Sequence, residues 1–325
     1  MQIRQVLDPQ GLADFQRVNA AAYEHDYRLL PAETLDQLLA LLDGDDEEAE
    51  RPLLFLGTRE GVAVGTLMLR LPMLDNLGTA NSELNVHPRH RRQGAGRALL
   101  EHAVAVLRAE GRGRLFVEVP SREDGSPGPG VGLVEHCGAK PVLEEVRRLL
   151  DLREHPPELP VGVPDGYRVV QWVDRTPDPL AEGVAYLLGR MTLDAPLGDM
   201  DYEPESWDVA RLRASEARSM ARGRLRISTA VVHCSGAVAG HTDVAVNRQD
   251  PRVASQWDTI VDPAHRGHGL GVVLKSWNHR QLVDLVLEVA FVNTWNAVAN
   301  RHMVAVNEAL GFEPVETWTE YQLDL

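Results

Sequence analysis

Two stretches of this chain, Val86-His87-Pro88-Arg89-His90-Arg91-Arg92-Gln93-Gly94-Ala95-Gly96 and Val261-Asp262-Pro263-Ala264-His265-Arg266-Gly267-His268-Gly269-Leu270-Gly271, share the pattern Val-x-Pro-x-x-Arg-x-x-Gly-x-Gly. Glycines at a strand-to-helix turn leave room for backbone N–H groups to surround an anion, with the positive end of the helix behind them. The chemistry such a loop supports is the holding of a pyrophosphate. Neither stretch carries the Gly-Lys-Ser/Thr of a nucleoside-triphosphate loop, which needs a lysine on the terminal phosphates and a hydroxyl on magnesium. A dinucleotide turn is also disfavoured, because Gly-x-Gly-x-x-Gly is incomplete and each loop follows a hairpin rather than the first strand of a domain.

The elements that must position these loops repeat with them. Arg91 and Arg266 stand 175 residues apart, and so do Gly61 and Gly236, each in the turn of a hairpin. The first hairpin joins residues 53–59 to 62–69, and the second joins 230–234 to 237–246. Short β-prone runs, Glu83 to Val86 and Asp258 to Val261, precede the loops. Ala95, Leu99, Leu100, Ala103, Val106 and Leu107 follow the first loop at helical spacing, as Leu270, Val273, Leu274, Trp277 and Leu285 follow the second. Leu115 to Val119 and Val289 to Thr294 then return as strands. A 175-residue offset that holds from hairpin to loop indicates a duplicated domain. The proline-rich stretch from His155 to Pro164 suits neither helix nor central strand, so the boundary is placed near residue 160, giving domains 1–160 and 161–325.

The doubled pattern resembles the acetyl-CoA signature of the GNAT superfamily of N-acetyltransferases, in a tandem two-domain arrangement. A second signature accompanies it in the C-terminal half, where Asn300 to Phe312 resembles the closing GNAT helix that runs from a CoA-contacting Asn to Gly-Phe. The corresponding N-terminal stretch, Gly132 to Ala139, keeps Gly138 but not the Phe, and Pro127 stands where the Asn would be, so the first closing motif is degenerate. The resemblance implies an α/β fold of the α+β type: two domains, each a mixed, mostly antiparallel, splayed sheet flanked by helices. It implies acetyl-CoA as co-substrate, no metal, and transfer of the acetyl group to a primary amine of a small molecule by direct attack, with the C-terminal half as the working site. A CoA-binding sensor or scaffold without catalysis is the alternative.

On that resemblance, the cofactor-binding residues are Ile260, Val261, Arg266, Gly267, His268, Gly269, Leu270 and Gly271, with the pyrophosphate on the amides of residues 266 to 271, and in the first half Val86, Arg91, Arg92, Gln93, Gly94, Ala95 and Gly96. Arg91 and Arg266 have a second reading, in which each pins its loop to its own domain. Asn300 and Asn296 are placed along the CoA arm, Asn296 with helix capping as the other role. The amine must be neutral when it attacks, which calls for a carboxylate base near the splay. Asp258 is the candidate and Glu83 its weaker counterpart. Asn307 stands where GNAT enzymes often carry the Tyr that protonates the leaving thiolate, so the general acid is unassigned, with Tyr321 a Tyr that approaches from elsewhere. The acidic segment from Asp194 to Glu205 occupies the place of a substrate-covering loop, with two readings: a holder of a cationic acceptor, or a solvated acidic loop.

Composition bounds the rest. A chain of 325 residues accommodates two domains of ordinary size, and a net charge of −15 argues against nucleic acid while suiting a cationic acceptor. Cys137 and Cys234 fall in different halves and read as buried free thiols. No stretch reaches the roughly 18 apolar residues of a membrane span. A cytoplasmic monomer or homodimer without membrane contact is expected.

Overall fold

The computed structural model describes residues 1–43, 49–157 and 160–325. Two compact units emerge. The first comprises Met1–Glu145, Leu197–Glu203 and Glu316–Leu325, the second Val146–Pro196 and Pro204–Val315. Within the proline-rich stretch, Glu158 and Leu159 lie outside the described residues.

In the first unit, strands β1 (Gln2–Gln5), β2 (Glu50–Arg59), β3 (Val62–Pro72) and β4 (Thr79–Val86) run antiparallel to their neighbours in that order. The β2–β3 turn carries Glu60 and Gly61 both at positive φ, 49° and 79°, which matches the twist of a two-residue hairpin. Strand β5 (Arg114–Pro120) then pairs parallel to β4, but only from Thr79 to Ser82. Beyond Ser82 the two strands part. Helices α1 (Pro9–Asp26) and α2 (Leu35–Asp43) pack one face around Leu12, Phe15, Leu38 and Leu54. On the other face, α3 (Ala95–Ala109) and α4 (Val131–His136) pack with Leu67, Leu99, Val117 and Val134. The start of α1 is set by Asp8, whose carboxylate accepts from Gly11 N at 2.8 Å, with Pro9 in the first turn.

The second unit repeats the plan. Strands β7 (Tyr167–Val173), β8 (Arg224–His233), β9 (Val238–Asn247) and β10 (Asp250–Val261) are antiparallel in sequence order, and β11 (Phe291–Ala297) pairs parallel to β10 from Val253 to Ser255 only. Helices α5 (Asp178–Asp194) and α6 (Val209–Ala221) cover one face, and α7 (Leu270–Leu285) covers the other, with α8 (Arg301–Ala309) after β11. Both sheets are therefore mixed, mostly antiparallel and splayed where the Gly loop follows.

The strand after β5 or β11 comes from elsewhere in the chain. In the first unit, β5 is bordered by the C-terminal part of β12 (Glu313–Asp324), with Tyr321 opposite Val117 and Leu323 opposite Leu115. In the second, β11 is bordered by the later residues of β6 (Lys140–Asp151): Arg147 donates to the Asn293 Oδ1 at 2.6 Å, and Leu152 N bonds Ala290 O.

Several sequence expectations change here. Tyr321 is buried in the core of the first unit, so it is no acid for the second. Leu285 is half exposed, because the inward face of α7 runs through Leu270, Leu274, Asn278 and Leu282 instead. The cysteines are free but not buried: Cys137 ends the short α4, and Cys234 is exposed at the β8–β9 turn. Residues 197–203, inside the acidic segment, belong to the first unit, where Asp199 N bonds Val142 O and Asn76 exchanges two hydrogen bonds with Glu203. Among the described residues no helix is long and apolar enough to cross a membrane.

Candidate active site

Both loops are built alike. A short 3-10 turn over Pro88–His90 or Pro263–His265 leads to an arginine whose Nε donates to the carbonyl of the loop's own valine, Arg91 to Val86 at 3.0 Å and Arg266 to Val261 at 3.2 Å. The guanidinium then reaches the carboxylate that ends the first long helix of its unit, Arg91 to Asp26 at 2.8 Å and Arg266 to Asp194 at 2.9 Å. Despite its burial, Asp26 is held below the ordinary carboxylate range by Arg91 and His25. Arg190, ahead of Arg266, does the same for Asp194. Both arginines thus tie loop to helix within their own unit.

The two glycines of Gly-x-Gly do different work. Gly94 and Gly269 sit at φ 83° and 69° as the N-caps of α3 and α7, and no side chain caps either helix. A Cβ at either position, or at Gly267 (φ 83°), would meet nothing within 4 Å, so open space lies above the amides of the first helical turn. Those amides have no partner within their helix. Gly96 and Gly271 serve packing: a Cβ there would come within 3.2 Å of Leu133 or Val306, on the closing helices. The cradle is more constrained in the first unit, where Arg92 takes the positive φ (58°) that Gly267 takes in the second, and Arg59 holds Gln93 by its side chain and carbonyl. His268 is turned to its own loop, toward the carbonyls of His265 and Arg266. Ala95, Leu270 and Ile260 have buried side chains, Ile260 is paired with His241 in the ladder, and Val86 and Val261 give their carbonyls to the arginines, which leaves the helix-start amides of Ala95 and Leu270 for a ligand.

The two candidate bases stand in unlike surroundings. Glu83 accepts from Tyr23 Oη at 3.1 Å and Asn85 Nδ2 at 2.9 Å, with Asn19 Nδ2 at 3.5 Å. Burial, then Glu33, raises its pKa. Asp258 lies where the β9–β10 register shifts between Gln256 and Thr259, so that Trp257 and Asp258 together oppose Asp243. This β-bulge falls just past Ser255, the last residue of β10 that pairs with β11, and so lies in the splayed part of the sheet. The Asp258 carboxylate is half-buried and accepts no hydrogen bond among the described residues. Burial, followed by the neighbouring Asp243 charge, pushes its pKa up to about 7, against the opposing pull of Arg226. A carboxylate poised there can take a proton near neutral pH.

Beneath it lies a polar cluster that the sequence did not announce. Arg226 and Asp243 form a buried ion pair across β8 and β9. His241, fully buried and stacked on Trp172, has no hydrogen-bond partner on either ring nitrogen, and burial lowers its pKa to about 4. Gln256 bridges Thr242 Oγ1 at 3.0 Å to His279 at 2.8 Å.

Asn300 caps α8, its Oδ1 accepting from Met303 N at 3.2 Å. Asn296 lies past the last β10–β11 pair and accepts a hydrogen bond from Asn307, whose own carbonyl accepts from Lys275 Nζ at 2.5 Å. Lys275 was missed because only the apolar positions of α7 were used to read its periodicity. Setting the repeats side by side would have found it, since 175 residues earlier stands Leu100.

Comparison with known proteins places the chain among acetyltransferases. The profile described as the Acetyltransferase (GNAT) family matches residues 16–126, within the first unit. The chain is 31% identical over 280 residues to the mycothiol acetyltransferase of Thermomonospora curvata, covering 85% of this chain and 82% of that one. With the mycothiol acetyltransferase of Saccharomonospora viridis it shares 32% over 264 residues, 76% of this chain and 75% of that one. Among solved structures, a tandem GNAT protein from the clavulanic acid biosynthesis pathway superposes with a TM-score of 0.85 at 31% identity, covering 99% of this chain and 98% of that one. A GCN5-related N-acetyltransferase from Sphaerobacter thermophilus, at 17% identity and a TM-score of 0.69, shares the fold.

Proposed function

The chain belongs to the GNAT family of acetyltransferases, and from that premise we propose that it transfers the acetyl group of acetyl-CoA to a primary amine of a small molecule, by direct attack, in the second unit. The observation that carries this reading is Asp258: a half-buried carboxylate without a hydrogen bond, raised to about 7, on a bulge at the open end of the sheet.

The proposed path begins with the CoA pyrophosphate on the uncapped amides of residues 267–271, where Gly267 and Gly269 leave the approach clear. Pantetheine runs into the gap between β10 and β11, past Asn296 and Asn300. The neutral amine attacks the thioester carbon, its proton passes to Asp258, the C–N bond forms, and the C–S bond breaks with the electron pair kept on sulfur. The first unit carries a comparable loop, but its Arg92 and its tethered Gln93 leave a narrower cradle, and the residues of its closing helix depart from the signature. The acceptor is sought among small amines, beginning with amines related to mycothiol, the molecule for which the acetyltransferases of Thermomonospora curvata and Saccharomonospora viridis are named.

The test is release of free CoA from acetyl-CoA, followed with and without each amine of a panel. Amine-dependent release that falls in Asp258→Asn with unchanged acetyl-CoA affinity supports the reading. Binding of acetyl-CoA without turnover by any amine would sink it in favour of a sensor.

A further inference from the structure

A lysine is seldom placed in a core without a carboxylate, because removing its charge from water costs far more than one neutral hydrogen bond returns. Lys275 is 1% exposed, makes no salt bridge among the described residues, and has the Phe312 ring 5.2 Å from its ammonium. Its one hydrogen bond goes to Asn307, itself fully buried. Burial, then the nearby Arg148 cation, lowers its pKa to about 7. The other titratable group against it, His279, is held neutral by burial, its pKa pushed down to about 3.

The duplicated fold supplies an internal control. At the positions of Lys275 and Asn307 the first unit has Leu100 and Val134, and where β11 carries Asn296, β5 carries Val119, all three buried in one apolar cluster. The same architecture therefore closes without any polar group here. Lysine is a donor only, so its bond fixes the direction of the whole chain. Asn307 must turn its carbonyl to Lys275 and its amide N–H to the Asn296 carbonyl. That leaves the Asn296 NH2 group without an acceptor among the described residues, on a strand that has already separated from β10.

We infer that Lys275, through Asn307, is a positioning residue that orients and polarises the Asn296 amide as a hydrogen-bond donor to the thiolate leaving the acetyl group. The inference rests on the reading of the second unit as the acetyl-CoA site. It explains how the reaction proceeds with Asn307 where a tyrosine acid would stand. As the C–S bond breaks, the negative charge that appears on sulfur is the counter-charge the buried ammonium lacks, and the thiolate takes its proton afterwards from water. Hydrogen bonds in series strengthen one another, and a charge at the far end strengthens each.

The experiment compares wild type with Lys275→Leu, Asn307→Val and the double variant, using the most active amine of the panel. Lys275→Leu is expected to melt no lower than wild type, to bind acetyl-CoA within about threefold, and to lose about tenfold to a hundredfold in kcat. Its pH profile is the reading a merely structural role would not move. Wild-type kcat should fall on the alkaline side as Lys275 loses its charge, and Lys275→Leu should lose that limb. Asn307→Val should match it, with the double variant no worse than either single one. Unchanged kcat in Lys275→Leu, or a loss matched by equal losses in melting temperature and acetyl-CoA affinity, overturns the inference while leaving the proposed function intact. Absence of amine-dependent CoA release by wild type overturns both.

Discussion

Three residues before the loop valine the first half carries Glu83 and the second Asp258, on strands of the same place in the same fold. Glu83 sits in a strand whose pairing with β3 runs unbroken from Arg70 to Gly65, and its carboxylate is satisfied by Tyr23 and Asn85. Asp258 sits on a bulge and is satisfied by nothing among the described residues. The difference between these two carboxylates is one inserted residue and a set of withheld hydrogen bonds. A carboxylate that the protein does not bind itself is left free to bind something else, and the comparison separates a satisfied carboxylate from an unsatisfied one more sharply than burial does, since burial raises both.

The strongest test of that contrast is removal of charge at each position. Asp258→Asn should lower kcat by about a hundredfold or more at neutral pH, with acetyl-CoA affinity unchanged by calorimetry, whereas Glu83→Gln should change kcat by less than about threefold. A large loss in Glu83→Gln would break the comparison and make the first unit the working one. Next in size is the cradle: Gly269→Glu should weaken acetyl-CoA binding by about a hundredfold, through a strained positive φ and a negative side chain above the amides. Gly94→Glu should leave the tight site intact. Loss of that site in Gly94→Glu alone would reverse the assignment.

The pH dependence sharpens the same point. The acidic limb of the wild-type pH profile should report Asp258, activity being lost as pH falls below about 7 and the carboxylate protonates, and this limb should persist in Lys275→Leu. The folded pKa of Asp258 is raised above the ordinary value of 3.8, so the stability this group contributes is present at low pH and lost as pH climbs through about 7. The melting temperature of Asp258→Asn should therefore exceed that of wild type by more at pH 8 than at pH 5. An equal difference at the two values would mean the carboxylate is not perturbed. The smallest effect belongs to the pinning arginines. Arg91→Ala, which removes a largely buried pair with Asp26, should cost about 1 kcal/mol in denaturant unfolding, and the more exposed Arg266→Ala a few tenths. Acetyl-CoA affinity that falls in either variant would place that guanidinium on the pyrophosphate as well.

Much of this was legible in the residues. The repeat fixed the loops, the hairpins and the helices that follow them, because positive-φ glycines and apolar spacing are local signals. Asp258 could be named from its distance to Val261, but its bulge could not, since bulging depends on how β9 and β10 are paired across more than ten residues. Asn300 and Asn307 were visible as motif positions, yet their hydrogen bonds follow from helix capping and from a lysine whose burial no spacing rule anticipates. The partner strands of β5 and β11 were illegible altogether: β6 runs in like pairs (Val142-Leu143, Glu144-Glu145, Arg147-Arg148, Leu149-Leu150) that define no single face, and the alternation at the end of β12, Tyr321-Gln322-Leu323, suits the edge of either sheet.

That exchange of strands bears on how the protein is made. During synthesis the first unit has β1 to β5 and its helices in hand long before Glu316–Leu325, the segment that completes its sheet, has been translated. Until then β5 presents an open edge of unpaired N–H and C=O groups to whatever strand is near. The second unit, by contrast, holds its bordering strand from the outset, since Val146–Asp151 precedes the rest of it. The usual order, in which the N-terminal domain folds while the C-terminal one is still being built, is thereby inverted, and the half translated first is the one that must wait.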